Sequence, residues 1–170
     1  FFNVGNLGIA AVTSHLVNHM HFKRIGKLSF LYAAIRTIFT YKGAQLIISI
    51  DDKALPAQKY SVACFGNGAY IGGGMHACPK AKIDDGFMDI LLAVHMPVWK
   101  LLSFLPKFVK GNHLELNGIT YTNGRSLTVR SAVRQLLDFD GKQPGFTPLK
   151  LRLLPKAVCI LQLQENAPPM

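Results

Sequence analysis

Acidic residues are scarce in this chain. Nine Asp and Glu residues stand against 19 Lys and Arg residues, which gives a formal net charge of +10, and the first acidic residue is Asp51. A positive field of this size favours an anionic partner, and a phosphate-bearing small molecule, a membrane surface and a nucleic acid all satisfy it. Charge therefore narrows the class of partner without choosing one.

Cysteines and long apolar runs are also scarce. Cys64, Cys78 and Cys159 are far apart and lack any C-x-x-C spacing, a pattern typical of reduced core thiols rather than of a disulfide scaffold. No apolar stretch reaches the roughly 18 residues that a membrane-spanning helix needs. We therefore expect a cytoplasmic protein that meets a membrane only peripherally.

What remains is the composition of a globular protein. The 170 residues are 49% hydrophobic and 16% charged, enough for one packed core. We predict a single domain over residues 1–165 and a frayed tail over 166–170. Because a strand-like apolar segment is already under way at Phe1, we also expect an upstream portion to precede this chain.

The hydrophobic pattern predicts few helices and many short strands. Helical spacing covers residues 9–20, 27–41 and 97–111, and Pro106 is expected to end or kink the last helix. A strand at 1–7 and a series of β segments from Ala44 to residue 163, with turn residues between them, predict a mainly β (α+β) fold. Its simplest form is an antiparallel two-layer β-sandwich with flanking helices. Asn-Gly at 117 and 123 and Asp-Gly at 140 predict hairpin turns.

Two acidic turns are the first candidate sites. In "KIDDGF", residues 82–87, Asp84 and Asp85 either form an ordinary turn or present a carboxylate and flanking carbonyls to a hard cation. In "LLDFDGKQPG", residues 136–145, β alternation places Asp138 and Asp140 on one face. Such a pair holds a cation or takes a proton, unless both carboxylates are simply solvated.

Three other patterns are weaker. The Gly-rich stretch at 65–86 allows close approach to a phosphate, although a bulge between strands explains it equally well. His15, His19 and His21 lack a nearby carboxylate or cysteine that would complete a metal site. The basic amphipathic segment at 97–111 fits either an anionic membrane or a helix that covers the core.

Read in order, "NVGNLG", "FGNGAYIGGGMHACPKAKIDDGFMDI", "LPKFVKGNH" and "LDFDGK" resemble the diacylglycerol kinase catalytic family. This family includes bacterial lipid kinases and sphingosine kinases and is distantly related to NAD kinases. The resemblance implies that the chain is the C-terminal half of a two-domain lipid kinase. The upstream nucleotide-binding α/β half, with its G-G-D-G-T loop, is then absent from this chain.

The resemblance also implies roles for individual residues. Asp85, with the backbone carbonyls of Lys82 and Phe87, matches the family's Mg²⁺ site. Asp140 matches the Asp of the family's D-G-E motif, the base for the lipid hydroxyl. The residues expected to face the ATP phosphates are Asn67, Gly72, Gly73, Gly74 and Lys142. Lys142 stands where the family has Glu, so it either lowers the pKa of Asp140 and weakens it as a base or contacts phosphate directly.

The expected function is therefore that of the C-terminal domain of an ATP-dependent lipid kinase, a transferase of phospholipid biosynthesis acting on diacylglycerol or a related lipid alcohol. The fragment alone is expected to be inactive. Its expected partners are the lipid, a membrane surface, the missing N-terminal half and a second copy of the chain as a homodimer. Two alternatives are an NAD-kinase-like enzyme and a non-catalytic lipid-binding β-sandwich. Nucleic acid is disfavoured, because the basic residues are scattered and match no recognised motif.

Overall fold

The computed structural model describes residues 3–20 and 27–158, which form ten strands and three helices. In chain order these are β1 (Val4–Gly8), α1 (Ile9–His19), α2 (Lys27–Thr40), β2 (Ala44–Ile50), β3 (Lys53–Ala54), β4 (Gln58–Gly66), β5 (Met88–Val94), α3 (Val98–Lys110), β6 (Ile119–Gly124), β7 (Ser126–Arg130), β8 (Leu136–Phe139), β9 (Lys142–Phe146) and β10 (Leu149–Arg152). A short 3-10 turn spans Gly72–Gly74. His21, the strand predicted at 157–163 beyond Val158, and the predicted tail lie outside the described residues.

The strands form two sheets that share β2. The larger sheet has the order β9, β8, β1, β4, β5, β6, and every pairing in it is antiparallel. The first residues of β2 pair with β4, whereas residues 47–50 pair with β7, which carries β10 on its other side. The predicted antiparallel β-sandwich with flanking helices is confirmed.

The central strands β4 and β5 of the larger sheet are buried on both faces. In β4, Val62 and Cys64 pack in a core with α1, α2 and α3, whereas Ala63 and Phe65 pack in a second core against the smaller sheet. A strand covered on both faces needs apolar residues at every position rather than at alternate ones. This explains the continuous apolar character of β4 and β5.

The helix α3 does not end at Pro106 but continues to Lys110, so of the two expected effects of Pro106, an end or a kink, the end did not occur. Proline removes one backbone donor from a helix, but Pro106 is exposed while Leu101, Phe104 and Phe108 are buried on the opposite side. Apolar packing of that side holds the helix together. It ends at Gly111, whose φ of 80° gives a left-handed cap.

Of the three expected hairpin turns, only Asp140-Gly141 joins two strands that pair with each other. Phe139 pairs with Lys142, and the two turn residues have φ values of 50° and 81°, as a type I′ turn requires. The Asn-Gly at 117 precedes β6, and the one at 123 lies inside it. Both turn predictions were wrong, because the described residues between α3 and β6 form no strand, and β6 pairs with β5 rather than with β7, the strand that follows it.

Candidate active site

Several strands of the larger sheet begin or end along one line that runs across the strands, and we call this line the sheet edge. The residues that stand side by side there are, from strand to strand, Phe139 and Gly5, Val4 and Gly66, Gly66 and Asp89, and Asp89 and Asn123. The loops that follow or precede these residues must therefore emerge at that edge. They are the Asp140 turn, the Gly-rich loop and the Asp85 turn, so the fold gathers three motifs that are far apart in sequence.

Asp140 is fixed to the start of β1. Its Oδ1 accepts hydrogen bonds from the backbone N–H of Val4 at 2.9 Å and of Asn3 at 3.2 Å. Its own N–H donates to the carbonyl oxygen of Val4 at 3.1 Å. The side chain is exposed, so these bonds hold an accessible carboxylate in one place.

A polar cavity of about 350 Å³ opens beside this turn. Its wall contains both Asp138 and Asp140, which supports the expectation that the two carboxylates serve one site. Their environments differ, because Asp138 is only 3% exposed. Its Oδ1 accepts a hydrogen bond from Ser14 Oγ at 2.8 Å, and its Oδ2 accepts one from Asn6 Nδ2 at 3.0 Å.

A second, apolar cavity of about 30 Å³ lies next to the polar one. Helices α1, α2 and α3 line it together with the larger sheet, and Thr13 is the one hydroxyl-bearing residue in the lining. Ala10 and Phe30 belong to the walls of both cavities. A polar compartment with carboxylates and an apolar compartment under the helices are thus direct neighbours.

The Gly-rich loop borders the polar cavity through Gly72. A Cβ atom at Gly72 would lie 2.7 Å from the ring of Phe30, so a larger residue does not fit there. The backbone carbonyl oxygen of Asn3 accepts hydrogen bonds from the N–H groups of Asn67 and Gly68 at 2.8 and 3.0 Å. Asn67 and the 3-10 turn that contains Gly72, Gly73 and Gly74 therefore stand on the same side of the sheet edge as Asp140.

The Asp85 turn stands several strands away. Asp85 Oδ1 accepts a hydrogen bond from the N–H of Phe87 at 2.9 Å, and Gly86 has a φ of 76°. Three strand spacings separate β8 from β5, or about 14 Å, so the Asp85 turn and the Asp138 and Asp140 cavity are separate sites. Within residues 3–20 and 27–158, no three His, Cys, Asp or Glu side chains come together as a metal site.

The donor set at the Asp85 turn nevertheless suits magnesium. One exposed carboxylate and the nearby backbone carbonyls of Lys82 and Phe87 are oxygen ligands, and Mg²⁺ usually completes its shell with water. An open groove of about 750 Å³, lined by Lys82, Asp85 and Asp89 among others, gives water access. The fit is chemical: one carboxylate and backbone carbonyl oxygens are the kind of donors that a hard cation would need.

The buried thiols are not nucleophiles. Burial, followed by the charge of Asp89, raises the pKa of Cys78 to about 12, and burial raises the pKa of Cys64 as well. Both groups are protonated at neutral pH, and a thiol is a poor nucleophile compared with its thiolate. Cys64 and Cys78 pack in the hydrophobic core, as the sequence indicated.

Three other residues singled out in the sequence do not line the polar cavity. Lys142 is exposed on β9 and does not line the polar cavity. His15 Nδ1 lies 3.2 Å from Gln143 Oε1, and His19 Nδ1 lies 2.8 Å from the carbonyl oxygen of His15. These two histidines are thus engaged within the protein.

Among the polar residues of the cavity wall that were not predicted from the sequence, Asn6 and Ser14 are buried. Both are buried polar residues, at 3% and 8% exposure, within otherwise apolar patterns. The signal that identifies Asn6 is its place in the middle of an apolar strand, where a carboxamide needs a buried partner. Ser14 carries no comparable signal, since serine is common on helices that cover a core.

Comparison with known proteins agrees with this geometry. A family model described as "YegS C-terminal NAD kinase beta sandwich-like domain" matches residues 3–162. A diacylglycerol kinase of Mycobacterium tuberculosis is 25% identical over 163 residues, which are 95% of this chain and 52% of that protein. A candidate lipid kinase of Staphylococcus haemolyticus is 26% identical over 166 residues, which are 97% of this chain and 54% of that protein.

A solved structure of a similar protein has the same fold over most of this chain. The crystal structure of a candidate diacylglycerol kinase from Bacillus anthracis str. Sterne superposes with a TM-score of 0.66 at 25% identity, covering 91% of this chain and 50% of that one. The chain thus spans about half the length of the relatives it matches. With its sandwich and its sheet-edge site, the chain belongs to the family of YegS C-terminal, NAD kinase beta sandwich-like domains.

Proposed function

We propose that this chain is the C-terminal part of an ATP-dependent lipid kinase and that Asp140 accepts the proton of the lipid hydroxyl. The observation that carries this proposal is the contact between the polar cavity and the apolar one through Ala10 and Phe30. A lipid alcohol has the matching two-part chemistry, with a hydroxyl for the carboxylates and apolar carbons beside it for the apolar compartment, whose volume of about 30 Å³ admits a methylene-sized group or two rather than a whole acyl chain. The relatives named diacylglycerol kinase support the same reaction.

The chemistry requires a positioned base. As the substrate oxygen forms its bond to the γ-phosphorus of ATP, the hydroxyl proton passes to the Asp140 carboxylate and the bond to the ADP oxygen breaks. Phosphoryl transfer depends mainly on positioning and charge neutralisation. The backbone bonds from Asn3 and Val4 supply the positioning, because they fix the carboxylate before the substrate arrives.

ATP and Mg²⁺ are the cofactors that this proposal implies. ATP supplies the phosphoryl group, and the Gly-rich loop with Asn67 offers a backbone that a phosphate can approach closely. Mg²⁺ at the Asp85 turn would stabilise the sheet edge near the cleft. Lys142, exposed beside the Asp140 hairpin, stands where a phosphate entering from solvent would meet it.

The proposal includes peripheral association with a membrane. Helix α2 exposes a row of large apolar side chains, namely Leu28, Leu31, Tyr32, Ile35 and Phe39. The exposed basic residues Arg36 and Lys42 lie on and after the same helix, and no acidic residue occurs before Asp51. An apolar face with basic neighbours fits an anionic lipid surface. Phe30, Ala34 and Ile38 of the same helix line the apolar cavity, which places that cavity directly behind this face.

Phosphate transfer tests the catalytic part. The natural protein that contains these residues should be assayed with labelled ATP against diacylglycerol, other lipid alcohols and NAD. We expect transfer to a lipid, and we expect Asp140→Asn to reduce it about 10²-fold to 10⁴-fold, the usual contribution of a general base. Asparagine tolerates the positive φ at this position and keeps an oxygen that accepts from the N–H of Val4, so the fold is retained.

Other outcomes of that assay separate the alternatives. Transfer to NAD alone would identify an enzyme acting on a soluble substrate. Full activity in a folded Asp140→Asn variant would refute the assignment of the base. Lipid binding without transfer to any acceptor would identify a non-catalytic module. The variant Lys142→Glu then shows whether the positive charge at position 142 prevents phosphate transfer.

A further inference from the structure

Asp138 is a buried carboxylate that neutral groups alone hold in place. Ser14, Asn6 and Gln143 donate to it at 2.8, 3.0 and 3.4 Å. In the described part of the chain no Lys or Arg forms an ion pair with it. A buried charge without a counter-charge is costly to a fold, and such a group is kept where it has a function or where a ligand completes its shell.

Asn6 adds a second unfilled acceptor. Its Nδ2 donates to Asp138, but its Oδ1 is buried and has no hydrogen-bond partner. Buried carboxamide oxygens are nearly always paired. Both residues belong to the wall of the polar cavity, so the two groups that need donors stand side by side.

The rest of the cavity wall offers acceptors rather than positive charge. Two of the nine acidic residues of a chain with net charge +10 line this cavity, and none of its lining residues within 3–20 and 27–158 is a Lys or Arg. The side-chain donors of Asn3, Asn6 and Ser14 already donate within the protein, to the carbonyl oxygen of Tyr70 in the first case and to Asp138 in the other two. The part of the cavity around Asp138 and Asn6 therefore suits a group that donates hydrogen bonds rather than an anion.

We propose that Asp138, assisted by Asn6, determines specificity by binding a second hydrogen-bond donor on the substrate, a hydroxyl or an ammonium group adjacent to the hydroxyl that Asp140 deprotonates. This inference rests on the proposed function and narrows it. The favoured substrates are lipid alcohols with such a neighbouring group, rather than lipids such as 1,2-diacylglycerol whose one free hydroxyl is the reacting one.

The preference follows from an asymmetry of hydrogen bonding. A substrate with the second donor gives Asp138 a charge-assisted bond in place of water. A substrate without it displaces the water and leaves the remaining acceptor positions of Asp138 and Asn6 unfilled, and a site built to bind a hydroxyl strongly rejects the analogue that lacks it. We expect a difference of about 10-fold to 100-fold in kcat/KM.

The test uses lipids that differ only at this group. The natural protein containing these residues is assayed with 1-oleoylglycerol, its 2-amino analogue and 1-oleoyl-1,3-propanediol, which has a single hydroxyl. We expect kcat/KM for the first two lipids to exceed kcat/KM for the third by about 10-fold to 100-fold. In Asp138→Asn the ratio of the amino lipid to the single-hydroxyl lipid should fall at least 10-fold, because the amide carries no charge to meet the ammonium group.

A binding measurement with the same lipids separates this inference from the proposed catalysis. If no lipid is phosphorylated but the dissociation constants keep the same order, the kinase assignment fails and the recognition by Asp138 stands. Equal kcat/KM and equal affinity for all three lipids in the wild-type protein would overturn the inference, and so would a ratio that Asp138→Asn leaves unchanged.

Stability controls accompany the variants. Asp138→Asn replaces a buried carboxylate that has no counter-charge among the described residues with a neutral amide, so the melting temperature should hold or rise, whereas a purely structural Asp138 predicts a fall. Ser14→Ala removes one donor but keeps the carboxylate, and the substrate ratio should persist in it. If Asp138→Asn fails to fold, the ratio of kcat/KM between the amino lipid and the single-hydroxyl lipid, measured in the wild-type protein and in Ser14→Ala, still tests the inference.

Discussion

At the scale of single residues, Asn3 connects the parts of the site. Its backbone N–H donates to Asp140, its carbonyl oxygen accepts from Asn67 and Gly68, and its Nδ2 donates to the carbonyl oxygen of Tyr70. The hairpin that carries the proposed base and the Gly-rich loop are thus attached to the same residue. A displacement of Asn3 would move both, so the relative position of base and loop is set at the first residues of β1.

The Asp85 turn supports a prediction about metal binding. We expect Mg²⁺ to raise the melting temperature of the natural protein, by an amount equivalent to about 2.7 kcal/mol at a concentration 100 times the dissociation constant. Asp85→Asn should abolish this increase, because the turn then lacks its charged ligand. Asp84→Asn is the matched control and should keep it. The measurement is thermal unfolding with and without Mg²⁺, and an equal response in both variants would contradict the site.

The acidic turn at 136–145 shows how much of the site could be predicted from the sequence. Alternation predicted that Asp138 and Asp140 share a face, and both do line one cavity. It did not predict that one is buried and the other exposed, because Asp140 lies in a turn with φ 50°, beyond the end of the strand. Nor did it reveal Asn6 opposite Asp138, since alternation gives the face of a residue but not its partner on a strand more than a hundred residues away.

At the scale of elements, α3 has an unusual composition for its position in the fold. It carries Pro106 in its interior, and Lys100, Lys107 and Lys110 are exposed while its apolar side packs on the core. The burial of Leu101, Phe104 and Phe108 favours a core-covering helix over a membrane-binding one. The membrane surface is better sought on α2, whose apolar residues are exposed.

Replacing the proline should therefore stabilise the protein. Pro106→Ala restores a backbone N–H that can donate to the carbonyl oxygen of Leu102, at an exposed position where no packing is lost. We expect the free energy of unfolding to increase by about 1 to 3 kcal/mol, measured by urea denaturation. Ser103→Ala, an exposed change in the same helix, should alter it by less than about 0.5 kcal/mol. A destabilised Pro106→Ala protein would show that the ring makes contacts that the helix needs.

The strands were predicted better than their connections. Apolar runs correctly located β2, β4, β5 and β7, because burial on one or both faces leaves a direct record in the sequence. The Asn-Gly pairs failed as hairpin signals because a turn residue reports a local bend, whereas pairing depends on which strand is already adjacent. For β6 that strand is β5, which precedes the whole of α3.

At the scale of the whole molecule, the positive charge and the proposed site are segregated. The chain has a net charge of +10, while the described residues that line the polar cavity include two carboxylates and no basic residue. The general field would attract an anionic surface, and the proposed site would accept a neutral or cationic head group. Among the described residues, no helix is both long enough and apolar enough to span a bilayer.

This segregation predicts salt-sensitive binding to anionic vesicles through α2. We expect the natural protein to sediment with vesicles containing phosphatidylglycerol and to bind more weakly as the salt rises from 0.05 to about 0.5 M, since the Debye length shortens. Leu28→Gln and Phe39→Gln together should weaken binding about 10-fold or more, because they remove two exposed apolar side chains. Ile47→Thr, an exposed apolar residue on β2, is the control and should bind normally. Equal binding by both variants would place the membrane surface elsewhere.

The position of β1 also decides when the site is assembled during synthesis. Asp140 and Asp138 are held by Asn3, Val4 and Asn6, residues separated from them by 132 to 137 positions along the chain. As the chain is made, β1 can pair with β4 early, but its other edge stays open until β8 has emerged from the ribosome. Closing so long a loop is slow. The nascent protein therefore carries a nearly complete sandwich core before it has a site, and the residues proposed for catalysis are among the last to meet.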